Sequence, residues 1–360
     1  MARELQAARA VAPGQIITRE LTARGWAQKD LARIMGRPPQ AINEIVKGSK
    51  QITPETALEL AEVFDTSAEL WTNLEAQYRL ALARRGKDTK EIARKSRLYS
   101  LAPVTELVKR GWIEEGESFE ELERNLFTFL KATSPEEMEK RAVNFRHAQS
   151  RTPELGAQIA WVRRVEQVAA EQRVSRFDLG HLEQAIPDIL ACAVRPDDAS
   201  RVPGMLLAAG VHFVIVPHLE KSYLDGAKLA PADNPIIALT LRYDRIDSFW
   251  FTLLHELAHI VLKHQGSYLD NLYEPDHVDG EEREANRLAG GWLINEQAFK
   301  AFVEGTRPYF SRPAIASFAA SQGRHPGIVV GRLHHEKLVD FKNLRGMLVK
   351  VSPFLGEWIK

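Results

Sequence analysis

The sequence predicts a mainly α-helical protein in three segments. We expect an all-α domain over residues 1–85, a helical linker or scaffold over 86–200, and an α+β domain with a small sheet over 201–360. Short amphipathic stretches with helix-cap signals fill the first segment. The middle segment contains the amphipathic run "AQIAWVRRVEQVAAEQ". The third opens with β-branched runs and continues into helical patterns, an order typical of α+β folds.

The composition restricts the class of protein. The chain has 360 residues, of which 44% are apolar and 27% charged, and its formal net charge is +0. These values are ordinary for globular domains and exclude a chain that binds polyanions over its whole surface. The one cysteine, Cys192, excludes an intrachain disulfide and a cysteine-based zinc knuckle. Because there is no apolar run of ~20 residues and no signal-like apolar core at the start, we expect a cytoplasmic protein without membrane contact.

The first domain has the spacing of a helix-turn-helix. "AQKDLARIMG" (27–36) and "RPPQAINEIVKG" (37–48) predict two short helices, and Gly36 and Gly48 suit the left-handed residue that ends a helix. Further helices are predicted at 53–64 and 66–85.

A helix-turn-helix reads DNA with the N-terminal part of its second helix. There, Gln40 and Asn43 can pair with adenine and Arg37 with guanine, while residues at the start of the first helix can hold phosphates. The candidate DNA contacts are Gln28, Lys29, Arg37, Gln40, Asn43 and Lys47. A small helical module that binds protein remains an alternative, because residues 1–85 contain 12 Lys/Arg against 10 Asp/Glu, a weak basic excess.

Residues 13–80 resemble the HigA-type antitoxins of toxin–antitoxin modules. The motifs "GWAQKDLA", "RPPQAINEI" and "ITPETALELA" occur in that family's order and cover nearly the whole first domain. The resemblance implies a homodimer formed through this domain, binding to palindromic operator DNA, and repression of its own promoter.

A second chemical signal is "HELAH" within "SFWFTLLHELAHIVLKHQ". His255 and His259 are four residues apart, so on a helix they share one face and can converge on one Zn²⁺. Glu256 lies about 100° around the helix from His255, from where it can take a proton from a metal-bound water. The alternative is a satisfied histidine pair in a core helix, but a buried His-Glu-His triplet without a metal needs other polar partners.

A third ligand is expected on the helix that follows. The extended metzincin pattern is excluded because Gln265 stands where that pattern has histidine. In "DGEEREANRLAGGWLI" (279–294), Glu282 lies beside the apolar face and is favoured, and Asn286, four residues later, can orient a ligand histidine. The alternatives are Glu281, Glu284, His264 and His277.

Residues 155–350 resemble the ImmA/IrrE metallopeptidases. The resemblance rests on "VHFVIVPHLEKSYLDGAKL", "NPIIALTLRYDRIDSFWFTLLHELAHIVLKH", "EEREANRLAGGWLI" and "HPGIVVGRLHHEKL". It implies a zincin-like fold, with His255, His259 and Glu282 as zinc ligands and Glu256 as general base. It also implies a metalloendopeptidase that cuts a partner regulator, often a helix-turn-helix repressor. The family's usual "LLMP" is here "WLIN" (292–295), a change that affects local shape and no ligand.

Two further roles are expected in this domain. "NPIIALTLRY" (234–243) is expected to be an edge strand to which a substrate peptide can add. His325, in the motif "HPG", can stabilise an oxyanion, and a surface histidine without that role is the alternative.

Two functional hypotheses follow. In the first, the protein is an operator-binding regulator whose zinc peptidase cleaves a repressor or toxin. In the second, it is a DNA-binding antitoxin whose peptidase-like domain binds or senses a partner without cleavage.

Overall fold

The computed structural model describes residues 11–86, 89–134, 137, 155–230, 233–264, 268–270 and 280–360. The chain divides into two compact units, Met1–Arg94 and Lys95–Lys360. Among the described residues, no helix combines the length and apolarity needed to span a membrane.

The first unit is a cluster of short helices around one core. Its helices are α1 (Pro13–Arg24), α2 (Gln28–Ile34), α3 (Pro39–Lys47), α4 (Pro54–Phe64) and α5 (Ala68–Gly86), and α6 (Lys90–Leu101) crosses into the second unit. Leu31, Ile42, Leu60 and Trp71 are buried at its centre. The predicted helices are confirmed, and they begin or end within a few residues of the expected positions.

The predicted helix ends are found in this unit. Gly48 adopts a left-handed conformation after α3, with φ of 75°. Thr53 caps α4, because its hydroxyl accepts a hydrogen bond from the Thr56 amide. Local cap chemistry therefore sets the turn between α3 and α4.

The second unit contains most of the helices and the one sheet in the described part of the chain. Its helices are α7 (Val104–Lys109), α8 (Phe119–Leu130), α9 (Leu155–Ala170), α10 (Leu179–Ala191), α11 (Val202–Ala208), α12 (Ile246–Val261), α13 (Gly280–Leu293), α14 (Glu296–Thr306), α15 (Arg312–Ser321) and α16 (Pro326–His335). Its strands are β1 (His212–Ile215), β2 (Gly226–Leu229), β3 (Ile236–Leu239) and β4 (Tyr268–Asp270).

The strand order is β1-β3-β2-β4. β3 pairs parallel with β1 and antiparallel with β2, and β2 pairs antiparallel with β4. The prediction that "NPIIALTLRY" forms an edge strand is therefore wrong. All four residues of β3 are buried, so this run is apolar because both faces of a central strand are covered.

The sheet is covered on both faces. Alternate residues of β3 enter different cores: Ile237 packs with the core that contains α12 residues, and Ala238 with the core that contains residues of α8 and α9. Trp161 on α9 donates its ring N–H to the carbonyl of Val216 at 2.8 Å. The middle of the chain thus supports the sheet from the side opposite α12.

Candidate metal centre and nucleic-acid interface

Helix α12 runs through the core of the second unit. Nearly all its residues are buried, as expected for a helix that is apolar around most of its circumference. His255, Glu256 and His259 each have 0% exposure. Three polar side chains are therefore held in an apolar environment, where each requires a polar partner or an ion.

The two histidines converge with a carboxylate from α13. The Nε2 atoms of His255 and His259 lie 2.9 Å apart. The Glu282 carboxylate lies 3.3 Å from His255 Nε2 through Oε2 and 3.4 Å from His259 Nε2 through Oε1. These three residues form a group that can hold a metal ion, with all ligand atoms within 4.8 Å of one another.

The packing of α13 against α12 selects Glu282 over its neighbours. Ala285 and Ala289 are fully buried, which turns the same side of α13 towards the core and carries Glu282 to the histidines. Glu284 instead lies 3.6 Å from His264 Nε2 and is 59% exposed. Glu281 acts on Lys228 through its charge.

Glu256 lies against strand β2. A Cβ added to Gly226 would come within 2.6 Å of Glu256 Oε1 and 2.6 Å of Thr252 Cγ2. The strand therefore approaches the Glu256 carboxylate closely because residue 226 has no side chain.

Lys228, which the sequence analysis did not single out, adds a buried positive charge to this region. It is 4% exposed and donates from Nζ to the His264 carbonyl at 2.8 Å. Burial lowers the pKa of Lys228, while the charges of Glu256 and Glu281 act in the opposite direction. Its spacing of two from Gly226 places both on the strand face towards α12 and is the signal that could have identified it.

The ring of His264 packs against the ring of His259. Its Nδ1 lies 2.9 Å from the Nδ1 of His259, the ring nitrogen that is not turned to His255 and Glu282. His264 is therefore outside the metal-ligand group, although it was a candidate ligand. Asn286, expected to orient a ligand histidine, is half-buried on α13. The other candidate ligand, His277, lies outside the described residues.

His325 is placed away from this group. Its ring caps α16 by accepting a hydrogen bond from the Gly327 amide at 3.0 Å. A Cβ on Gly327 would meet Ile246, the first residue of α12. Ile246 precedes His255 by nine residues, so the two lie about 13 Å apart along the helix axis. Burial lowers the pKa of His325. The predicted oxyanion role has no support in this position, and the ring's contact is that of a helix cap.

The candidate DNA contacts lie on α2, α3 and the turn between them. Lys29, Gln40 and Lys47 are exposed, and Gln28 and Asn43 are partly exposed. Gln40 donates to Glu44 Oε1 at 3.0 Å.

Arg37 differs from the others because Glu59 on α4 holds its guanidinium. Two hydrogen bonds join them, from Nε at 2.7 Å and from Nη2 at 3.0 Å. Arg37 thus ties the turn before α3 to α4.

Two family models match the chain. A helix-turn-helix model matches residues 17–71, and a peptidase-family model described as the IrrE N-terminal-like domain matches residues 210–319. The first match contains α2 and α3, and the second contains α12, α13 and the sheet.

The first unit is similar to several bacterial proteins. Virulence-associated protein I of Dichelobacter nodosus is 36% identical over 81 residues, which are 22% of this chain and 75% of that protein. The HTH-type transcriptional regulator YddM of Escherichia coli K12 is 30% identical over 82 residues, which are 23% of this chain and 87% of that protein. The structure of the Pseudomonas aeruginosa antitoxin HigA with the higBA promoter is 34% identical in sequence. The match covers 23% of this chain and 91% of the HigA chain, with a TM-score of 0.22.

Proposed function

We propose that the chain, which belongs through its first unit to the helix-turn-helix regulators, is an operator-binding regulator with a zinc-dependent endopeptidase site. Its first unit has HigA-type neighbours, and its second unit carries an IrrE N-terminal-like domain. The observation that carries the proposal is the convergence of His255, His259 and Glu282, with Glu256 buried at the next position after His255 on the same helix. Cleavage of a partner repressor or toxin would then change transcription.

The three converging side chains fit zinc. Two imidazole nitrogens and one carboxylate are a known ligand set of catalytic zinc sites, which leave a further position open. Donors bound about 2.0–2.1 Å from a tetrahedral ion lie about 3.3 Å from one another, close to the 3.3 and 3.4 Å between Glu282 and the two rings. When bound, Zn²⁺ supplies a Lewis acid that polarises a carbonyl and lowers the pKa of water.

Glu256 is the proposed general base. It follows the ligand His255 directly on α12, about 100° around the helix, and its carboxylate lies against β2. There it can accept a proton from a water and pass that proton to the leaving amine. The buried Lys228 ammonium is close enough to interact with this carboxylate, and in a site of low dielectric such a charge acts strongly.

The proposed DNA interface is the exposed side of α3 with the start of α2. Gln40 and Asn43 are the proposed base readers, because amide side chains can bond bidentately to adenine. Gln28, Lys29 and Lys47 are the proposed phosphate contacts. Arg37 is assigned to the ion pair with Glu59 rather than to guanine. A homodimer would place two such helices on the two halves of a palindromic operator.

A second function is favoured by one observation. His255, Glu256 and His259 have 0% exposure, and Glu282 is 19% exposed. This burial suits a domain that senses or binds a partner without cutting it, or one that opens only when the partner binds.

Two cultures separate the two functions, one expressing the wild type and the other Glu256→Gln. New protein N-termini in both cultures are mapped by mass spectrometry. The proposal expects a new N-terminus in a repressor or toxin encoded next to this gene, with the wild type only. Both proteins should bind zinc and operator DNA equally. Identical N-termini in the two cultures would reject the peptidase and favour the sensing function.

A further inference from the structure

Helix α12 ends in a turn that returns the chain towards a proposed metal ligand. The Lys263 amide donates to the Ile260 carbonyl at 3.1 Å, and the His264 amide donates to the His259 carbonyl at 3.1 Å. With Leu262 as the C-cap, these two bonds define a Schellman motif. Lys263 occupies its left-handed position with φ of 58°, where glycine is the usual residue.

This motif normally closes with an apolar contact between its last residue and the residue five positions earlier. Here that pair is His264 and His259, and the contact is polar. Their rings lie 5.0 Å apart at an interplanar angle of 69°, with the two Nδ1 atoms 2.9 Å from each other. A helix-ending motif therefore places an imidazole directly behind the proposed ligand.

The nitrogen–nitrogen contact restricts the protons on both rings. Two nitrogens at 2.9 Å share one proton, so one ring donates and the other accepts. If His259 donates from Nδ1, its Nε2 has a lone pair directed at His255 and Glu282. His264 then has its own proton on Nε2, which faces the Glu284 carboxylate at 3.6 Å.

The position of His264 is fixed from a second direction. Lys228 on β2 donates to the His264 carbonyl at 2.8 Å, and His264 itself is 7% exposed. The turn is thus held to the sheet as well as to the helix, so the ring has little freedom to leave His259.

We propose that His264 is a positioning residue that fixes the ring orientation and tautomer of His259 for metal binding. The inference rests on the proposed zinc site and assigns His264 a role behind a ligand instead of on the metal. Partners of this kind typically change metal affinity about 10–100-fold when they are removed.

The test is the zinc affinity of the full chain, measured by competition with a chromophoric chelator. His264→Leu retains an apolar side chain for the Schellman contact but removes the acceptor, so we expect zinc to bind about 10–100-fold more weakly. His264→Asn offers an amide oxygen near the position of Nδ1 and should restore affinity to within a few-fold. His335→Leu is the matched control, because His335 is an exposed histidine on α16 outside the ligand group, and it should bind zinc like the wild type.

A purely structural role for His264 predicts the opposite order. The leucine variant would then bind zinc like the wild type, and the asparagine variant would bind it more weakly. Either result would overturn the inference while leaving the zinc site in place. If the wild type binds no zinc, the proposed function itself fails and the positioning role fails with it.

Discussion

Gly226 and Glu256 are in such close contact that the strand leaves no room for a side chain beside the Glu256 carboxylate. A Cβ on residue 226 would lie 2.6 Å from Glu256 Oε1, well inside the contact distance of two heavy atoms. The glycine therefore fixes where the carboxylate lies, although it has no chemical group of its own.

We expect Gly226→Ala to displace the Glu256 carboxylate and to lower the cleavage rate about 100-fold, because misplacement of a catalytic group by about 1 Å has effects of this size. Zinc affinity should change little, since Gly226 touches none of the three ligands. The rate is measured on the substrate found through the Glu256→Gln comparison. Gly204→Ala is the control, because a methyl group there meets no atom within 4 Å. Equal rates for both variants would show that the contact does not position the base.

Arg37→Gln tests the ion pair with Glu59. The pair is partly exposed, at 22% for Arg37 and 39% for Glu59, so we expect the free energy of unfolding to fall by about 0.2–1 kcal/mol. The ratio of operator to non-specific binding should stay the same. Denaturant unfolding and gel shifts with an operator selected from random duplexes measure the two effects. A fall in that ratio with an unchanged free energy of unfolding would show that Arg37 contacts a base in the operator.

Gln40→Ala combined with Asn43→Ala should remove operator preference. Each bidentate amide–adenine contact contributes about 1–3 kcal/mol of discrimination, so the double variant should bind operator and scrambled duplexes nearly alike. Lys47→Ala is the contrasting variant: it should weaken binding to both duplexes and reduce the salt dependence of binding by about one phosphate contact. Retained preference in the double variant would mean that another surface reads the bases.

His325→Ala tests the capping role. Loss of a side-chain N-cap should lower the free energy of unfolding by about 0.5–2 kcal/mol, and His325→Ser should restore most of it. Cleavage should be unchanged, because the ring caps α16 beside the start of α12. A loss of about 100–1,000-fold in rate at unchanged stability would instead indicate the oxyanion contact that the sequence suggested.

The features that depend on local spacing could be predicted from the sequence. Helix periodicity puts His255 and His259 on one face, and the apolar pattern of α13 singles out Glu282. The helix-turn-helix is predicted by its cap residues and its short helices. These properties are set within one or two turns of the chain, so they need no knowledge of distant packing.

The features that depend on long-range pairing could not be predicted in this way. β3 is central because the chain inserts it between β1 and β2, and its apolar run suits either a central or an edge position. His264 stays an alternative ligand in the sequence, because no glycine marks the left-handed turn at Lys263 that places its ring behind His259. Arg37 was assigned to DNA because its partner, Glu59, lies on another helix.

The zinc content of the full chain, stripped of metal and reconstituted, tests the central claim most directly. The wild type and Glu281→Gln should each hold a single tightly bound zinc ion, while Glu282→Ala should lose tight binding because only two histidine ligands remain. Glu281 is the matched control, since it precedes Glu282 on α13 and is not part of the ligand group. A wild type without zinc, or a Glu282→Ala variant that holds zinc as tightly as the wild type, would contradict the account.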